Sequence, residues 1–73
     1  MTNAKRVTGE DISRYRNIRR EMFSRGVTVR SIAHRVGIKP PTVTLVAQNK
    51  RVSRRVRVAL ARAIGMTYKE LWG

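Results

Sequence analysis

The sequence predicts an all-α protein built from five short helices. Apolar residues recur at spacings of three and four along most of its 73 residues, and Ser, Thr and Gly divide them into segments of helical length. No convincing run alternates apolar and polar residues as a strand does. The length is that of one domain. We place this domain at residues 8–73, behind a flexible basic arm at residues 1–7.

The first helix is predicted to begin after Thr8, because a threonine hydroxyl accepts hydrogen bonds from the free backbone amides of a first turn. Glu10 and Asp11 follow, where negative charge suits the helix dipole. A glycine ends the helix near Ser24 or Arg25. One apolar stripe is expected to face the core, formed by Ile12, Tyr15, Ile18, Met22 and Phe23.

The second helix is predicted to begin after Thr28 and to end at Gly37. The third opens with Pro40 and Pro41, since the first turn of a helix needs no backbone donors. It ends at Asn49, a residue suited to the left-handed conformation. The inward side chains expected on these two helices are Val29, Ile32, Ala33, Val36, Val43 and Val46.

The fourth helix is predicted to begin after Ser53 and to end at Gly65. Thr67 and Glu70 then form a capping box for a fifth short helix that contains Leu71 and Trp72. The core stripe expected on the fourth helix consists of Val56, Ala59, Leu60, Ala63 and Ile64.

Positive charge is the strongest compositional signal. Seventeen Lys and Arg residues stand against four Asp and Glu, a net charge of +13, and no acidic residue occurs between Met22 and Lys69. Self-repulsion on this scale destabilises a compact domain unless a polyanion is its usual partner. Nucleic acid is the first expectation for that partner, and an anionic membrane surface is the second.

Composition gives little support to other classes of protein. The chain has no cysteine and a single histidine, and Ser31, His34 and Ser53 have no acid in the middle of the chain to orient a base. We therefore expect no metal, no cofactor, no small-molecule ligand and no enzymatic activity. No apolar run approaches the ~18–20 residues of a membrane span, and none follows Met1 as in a signal peptide. We therefore expect a cytoplasmic protein without a membrane partner.

The most specific pattern lies at residues 29–48, where three residues separate the second and third helices. Two helices that cross at roughly 90–120° need a small residue at the crossing and a positive φ in the turn. Ala33 and Gly37 meet these needs. The residues left around the outer face and leading end of the third helix are Lys39, Pro40, Pro41, Thr42, Thr44, Leu45 and Gln48.

Residues 29–48 resemble the helix-turn-helix of the lambda-repressor-like family, of the Cro and repressor type. The family's alanine and glycine are Ala33 and Gly37, and its apolar positions are filled by Ile32, Val36, Ile38, Val43 and Val46. The likeness extends over residues 9–73, and the closing residues are also similar to small phage regulators of the Ner type. The resemblance implies sequence-specific binding of double-stranded DNA by a phage or prophage-type transcriptional repressor, which occludes a promoter.

The chain departs from the family pattern in two ways. Family members often pair an Arg on the first helix with a Glu near the end of the recognition helix, where this chain has Met22 and Ala47. An apolar contact is expected in place of that ion pair. The positions that commonly read bases with polar side chains are held here by Val29, Pro40, Pro41 and Leu45. Proline and leucine offer base edges no hydrogen bonds, although they can contact thymine methyl groups.

The expected DNA-binding residues fall into two groups. Direct contacts with bases are expected from Lys39, Thr42, Thr44 and Gln48, beside the apolar surface of Pro40, Pro41 and Leu45. Contacts with the DNA backbone are expected from Thr28, Arg30, Arg35, Lys50, Arg51, Arg54 and Arg55.

The resemblance also implies a homodimer on a pseudo-palindromic site, since a lone domain reads only a few base pairs. Leu71 and Trp72 are the expected dimer surface. Two alternatives remain open: an antitoxin-type regulator that also binds a protein partner, and the DNA-binding module of a recombinase or transposase.

Overall fold

A computed structural model describes residues 7–73. They form five helices, α1 (Gly9–Ser24), α2 (Val29–Val36), α3 (Pro40–Ala47), α4 (Arg54–Ala63) and α5 (Tyr68–Trp72), with no strand among them. The predicted all-α class is confirmed for this part of the chain. Apart from Val7, the predicted arm at 1–7 lies outside the described residues. Across 7–73, no helix has the length and apolar character that crossing a membrane requires.

The helices begin where the sequence predicts, because short-range hydrogen bonds cap them. The hydroxyls of Thr8, Thr28, Ser53 and Thr67 each accept a hydrogen bond from the backbone amide three residues later. The exception is α3, which starts with two prolines and has no side-chain cap. The first turn of a helix normally has free backbone N–H groups that a cap accepts. Because the two prolines have no backbone N–H, α3 has fewer such groups than a helix that begins with other residues.

A three-residue turn joins α2 to α3, and α2 packs mainly on α3. Gly37 has a φ of 84°, in the left-handed region that glycine adopts without strain. The amides of Gly37 and Ile38 both donate to the carbonyl of Ala33, at 2.8 and 3.0 Å. Ala33 itself is buried, and its small side chain lets the two helices approach closely.

One hydrophobic core receives side chains from all five helices. Its fully buried members include Ile18, Val43, Val46, Leu60 and Ile64, each predicted from apolar spacing. Met22 and Ala47 are both buried in it as well, and they line the same small cavity. An apolar environment thus occupies the place where the family pattern has an ion pair.

Two residues predicted for the core on α1 are instead exposed. Ile12 is 47% exposed and Phe23 is 89% exposed, whereas Ile18 and Met22 are buried. Successive helical residues are rotated by about 100°, so Phe23 points well away from Met22. The corresponding inward position near the start of α1 belongs to Asp11, which is buried, rather than to Ile12. The prediction of a five-residue stripe was wrong because it joined two neighbouring faces.

Asp11 is the centre of a buried polar contact between α1 and the end of α3. Asp11 is only 5% exposed. Oδ1 accepts hydrogen bonds from Arg14 Nη1 at 2.8 Å and from Asn49 Nδ2 at 2.9 Å, and Oδ2 accepts one from the backbone amide of Thr8 at 2.9 Å. Asn49 Oδ1 in turn accepts from Arg57 Nη2 at 2.8 Å. We call this set the Asp11–Asn49–Arg57 chain.

The same two arginines hold α5 in place. Arg14 Nε donates to the carbonyl of Leu71 at 2.9 Å, and Arg57 Nη1 donates to the Tyr68 hydroxyl at 3.3 Å. Trp72 Nε1 donates to the carbonyl of Arg57 at 3.0 Å. Both guanidinium groups lie over the Trp72 ring, with 5.3 and 4.8 Å to its centroid. A helix of five residues is therefore fixed by polar contacts with α1 and α4.

These contacts hold the pKa of Asp11 well below its usual range. The backbone amide of Thr8 is the largest cause, burial acts in the opposite direction, and the hydrogen bonds from Arg14 and Asn49 lower the pKa further. Because the pKa is lower in the folded state, the ionised carboxylate stabilises the fold above the ordinary carboxyl pKa of about 4. That stabilisation is lost as the pH falls below this range.

We predict that Asp11→Ala lowers the free energy of unfolding at neutral pH by about 3 kcal/mol, because it leaves buried donors without an acceptor. Urea denaturation followed by circular dichroism measures this. The matched control is Glu10→Ala, an exposed neighbour, which should cost less than about 1 kcal/mol. The difference between wild type and Asp11→Ala should shrink below about pH 4. A difference independent of pH would contradict the role of the ionised carboxylate.

Candidate nucleic-acid interface

The leading end of α3 is exposed to solvent. Lys39, Pro40 and Pro41 are all exposed, while Val43 and Val46 on the inner side of the same helix are fully buried. The short turn from α2 and the buried inner face therefore hold α3 so that its leading end meets solvent. This agrees with the arrangement predicted from the sequence.

The remaining outer residues of α3 are less accessible than its first turn. Thr42, Thr44, Leu45 and Gln48 are half-buried. Thr44 lines a cavity together with Tyr15 of α1, and Gln48 lines another together with α1 residues. Lys39, Pro40 and Pro41 consequently form much of the accessible surface at the leading end.

The leading end of α3 has few hydrogen-bond donors. Neither proline has a backbone N–H, and the amide of Thr42 donates to the carbonyl of Lys39 at 3.0 Å. The Lys39 ammonium and the Thr42 hydroxyl are the polar groups at this end. Its chemistry is therefore that of an apolar tip with one cation beside it.

Lys50 and Arg51 lie in the segment between α3 and α4, and both are exposed. Their backbone amides donate to the carbonyl of Leu45, at 2.9 and 3.3 Å. These bonds fold the segment against the end of α3. Within residues 7–73, neither side chain forms an ion pair. The structure thus places two cations without a carboxylate partner next to α3.

Arg54 and Arg55, at the start of α4, are exposed but have contacts within the chain. Arg55 Nη2 donates to the carbonyl of Val36, the last residue of α2, at 3.0 Å. The Arg54 guanidinium lies over the Tyr68 ring, 4.8 Å from its centroid. Sequence patterns did not predict either contact, because each joins two helices. Both contacts leave the positive charges unneutralised.

The backbone-contact candidates on α2 occupy its start and its outer face. Arg30 and Arg35 are exposed. Thr28 is exposed too, but its hydroxyl accepts a hydrogen bond from the amide of Ser31 at 3.0 Å. The hydroxyl of Thr28 therefore has a structural role as a helix cap.

The charges of the domain are segregated by helix. The four acidic residues lie on α1 and α5. Helices α2 and α4 and the connections between α2 and α4 carry cations and no acid, and α3 itself has no charged residue. Asp11 and Glu21 form ion pairs on α1 with Arg14 and Arg25. Glu70 serves the capping box of α5, and the backbone amide of Thr67 lowers its pKa. Three of the four acids thus act within the fold, and every charged residue of α2, α4 and the connections between them is a cation.

The predicted dimer surface on α5 needs correction. Leu71 is 5% exposed and belongs to the core of its own chain. Trp72 is half-buried and is held by Arg14 and Arg57. A short terminal helix has to bury its apolar residues against its own domain to be stable, so Leu71 is not available to a partner.

No family of known proteins, no curated protein and no solved structure matches this chain. Within residues 7–73, no group of three or more His, Asp or Glu side chains is placed to hold a metal ion. The function is therefore inferred from the chain's own residues.

The charge segregation predicts that salt stabilises the fold. Raising NaCl from about 0.05 to about 0.5 M screens repulsion between exposed cations more than it weakens the buried contacts of Asp11. The thermal midpoint should rise by about 4–8 °C for each kcal/mol of repulsion that is removed. Circular dichroism measures the midpoint. In the double variant Arg30→Gln, Arg35→Gln the response to salt should be smaller. A midpoint that falls with salt would contradict net repulsion.

Proposed function

We propose that this chain binds double-stranded DNA through a helix-turn-helix formed by residues 29–48, as a transcriptional repressor of the phage or prophage type. The observation that carries the proposal is the exposed first turn of α3, with Lys39 just before it and the exposed cations Lys50 and Arg51 beyond the other end of the same helix. Within residues 7–73, none of these three side chains forms an ion pair. A basic surface around one exposed helix end is the footprint expected of a DNA-binding domain.

The dimensions of α3 suit the major groove. That groove is about 12 Å wide, and a helix with its side chains measures about 10–12 Å across. With the inner side held by Val43 and Val46, the first turn enters the groove. Lys50 and Arg51 then reach the phosphates on one side of it, and Arg30 extends the contact from α2. Arg54 and Arg55 add positive charge at the start of α4.

The proposed contacts divide between affinity and discrimination. Phosphate contacts supply most of the affinity and depend steeply on salt. Discrimination rests on the Lys39 ammonium, which suits the acceptors of guanine, and on the apolar surface of Pro40, Pro41 and Leu45, which suits thymine methyl groups. Half-buried Thr42, Thr44 and Gln48 contribute less than an exposed polar helix face would.

We further propose that the chain acts as a homodimer on a pseudo-palindromic operator and represses by occluding a promoter. One recognition helix of eight residues covers too few base pairs to find a unique site alone. The dimer surface is not Leu71, whose side chain is buried in the core.

The first test is selection of binding sites from random double-stranded DNA at low and high salt. We expect one enriched sequence and a steep loss of affinity with salt. Lys39→Ala should change the enriched sequence, whereas Lys50→Ala should weaken all sequences alike and reduce the salt slope by about one. Arg20→Ala, an exposed cation on α1, is the control and should change neither result. Steep salt dependence without any enriched sequence would rule out a specific regulator.

The second test replaces thymine by uracil in the selected sequence, one position at a time. Each thymine whose methyl group is buried against the apolar tip should contribute about 0.8 kcal/mol, or about fourfold in affinity. Uracil in the flanking DNA should have no effect. In Leu45→Ala the penalty at one position should be smaller than in wild type. Equal affinity for thymine and uracil at every position would exclude methyl recognition while leaving DNA binding intact.

A further inference from the structure

A second charged surface lies between α2 and α4. It is a groove of about 460 Å³, distinct from the leading end of α3. Four arginines and three apolar residues line it: Arg35, Arg54, Arg55, Arg62, Val36, Val58 and Ala59. We call it the α2–α4 groove.

The arginines form the rim of the α2–α4 groove and are all exposed. Arg55 is tied to the end of α2 by its hydrogen bond to Val36, and Arg54 is stacked on Tyr68. Neither partner is an anion, and no carboxylate lines the groove. Two guanidinium groups are thus pre-positioned with their charge available to a ligand, which lowers the entropic cost of binding.

The floor of the groove is apolar. Val58 and Ala59 are half-buried, while Val56, Leu60 and Ala61 on the other side of α4 are fully packed into the core. Val36 completes the floor from α2. Val36 and Ala59 also pack against the edge of the core. The floor is therefore a partly exposed apolar surface, and Arg54, Arg55 and Arg62 flank it on α4.

The helix dipoles act on these cations in two directions. Arg54 and Arg55 occupy the first turn of α4, where the dipole disfavours positive charge. The bond from Arg55 to the carbonyl of Val36 places its guanidinium at the C-terminal end of α2, where positive charge is favoured. A bound anion would reduce the repulsion at the start of α4.

The apolar floor and the arginine rim of the α2–α4 groove together determine what kind of ligand it can bind. A ligand has to present carboxylates or phosphates to four arginines and apolar groups to the floor at once. A DNA backbone offers phosphates but no apolar side chains for Val58 and Ala59. A second copy of this chain would bring four arginines against four arginines, which is strongly repulsive.

We propose that the α2–α4 groove binds an acidic amphipathic helix of a partner protein. The ten residues of α4 span about 15 Å, which accommodates about three turns of a helix lying alongside. Apolar residues of the partner at helical spacing cover Val36, Val58 and Ala59, and its flanking Asp and Glu pair with the rim. This inference shares Arg35, Arg54 and Arg55 with the proposed DNA-backbone contacts, but it does not involve the first turn of α3. Binding of a peptide and binding of DNA are therefore measured separately.

The experiment uses a synthetic peptide of about 16 residues with leucines on one helical face and glutamates elsewhere. A second peptide has the same composition, with the leucines spread around the helix. Fluorescence anisotropy of labelled peptide, titrated with the full chain, measures binding. We expect the amphipathic peptide to bind at least about tenfold more tightly than the rearranged one, because only its leucines reach the floor together.

Substitutions in the chain then locate the site. Arg62→Glu should weaken binding of the amphipathic peptide about tenfold or more, and Ala59→Gln should weaken it by obstructing the floor. Arg20→Glu makes the same charge change on exposed α1 and should have an effect several times smaller. Circular dichroism verifies that each variant is folded, and Ala59→Gln tests the floor without changing charge.

Equal binding of the two peptides, or equal effects of Arg62→Glu and Arg20→Glu, would show that only net charge attracts the peptide and would overturn the proposal. Absence of peptide binding, together with weaker binding of a DNA duplex of about 20 base pairs by Arg62→Glu, would assign the groove to nucleic acid. That outcome would also overturn the proposal that the groove binds an acidic helix.

Discussion

Asp11 and Asn49 meet through a buried hydrogen bond that closes the structure, because it joins the start of α1 to the residue where α3 ends. Asn49 has a φ of 61°, and its side chain accepts from Arg57 while it donates to Asp11. The position of α3 relative to α1 and α4 depends on this contact. A buried carboxylate is costly unless its lone pairs are satisfied. Here Arg14, Asn49 and the Thr8 amide satisfy them.

Most of the few acidic residues are used within the fold. The acids of α1 and α5 are committed to ion pairs, caps and the Asp11–Asn49–Arg57 chain, apart from Glu10. The cations of α2, of α4 and of the segments on either side of α3 have no acidic partners among the described residues. A domain with this pattern is less stable alone than with an anion bound. The same arginines and lysines therefore lower the stability of the unbound fold and favour the binding of an anion.

The two proposed surfaces meet at the start of α4. Arg54 and Arg55 line the α2–α4 groove and also border the segment that contains Lys50 and Arg51. An acidic helix in the groove would occupy positive charge that the DNA backbone otherwise uses. Binding of a protein partner would thus oppose binding of DNA through shared electrostatics, without any change in the position of α3.

Sequence alone determined the features that depend on neighbours within four residues. The helix starts at Thr8, Thr28, Ser53 and Thr67 were predictable, because a cap involves an amide three residues away. The left-handed residues Gly37 and Asn49 were predictable from intrinsic backbone preference. The exposed leading end of α3 followed from where the apolar residues of that helix fall.

Tertiary structure decided which face of a helix is buried, where the spacing of apolar residues fits more than one face. On α1, spacings of three and four fit more than one face, and only packing showed that Asp11 is buried while Ile12 and Phe23 are exposed. The bonds from Asn49 to Asp11 and from Arg14 to Leu71 span 38 and 57 residues. No local pattern encodes such partners. Whether an arginine serves a helix end, an aromatic ring or a ligand depends on which helices pack beside it, and that is a property of the whole fold.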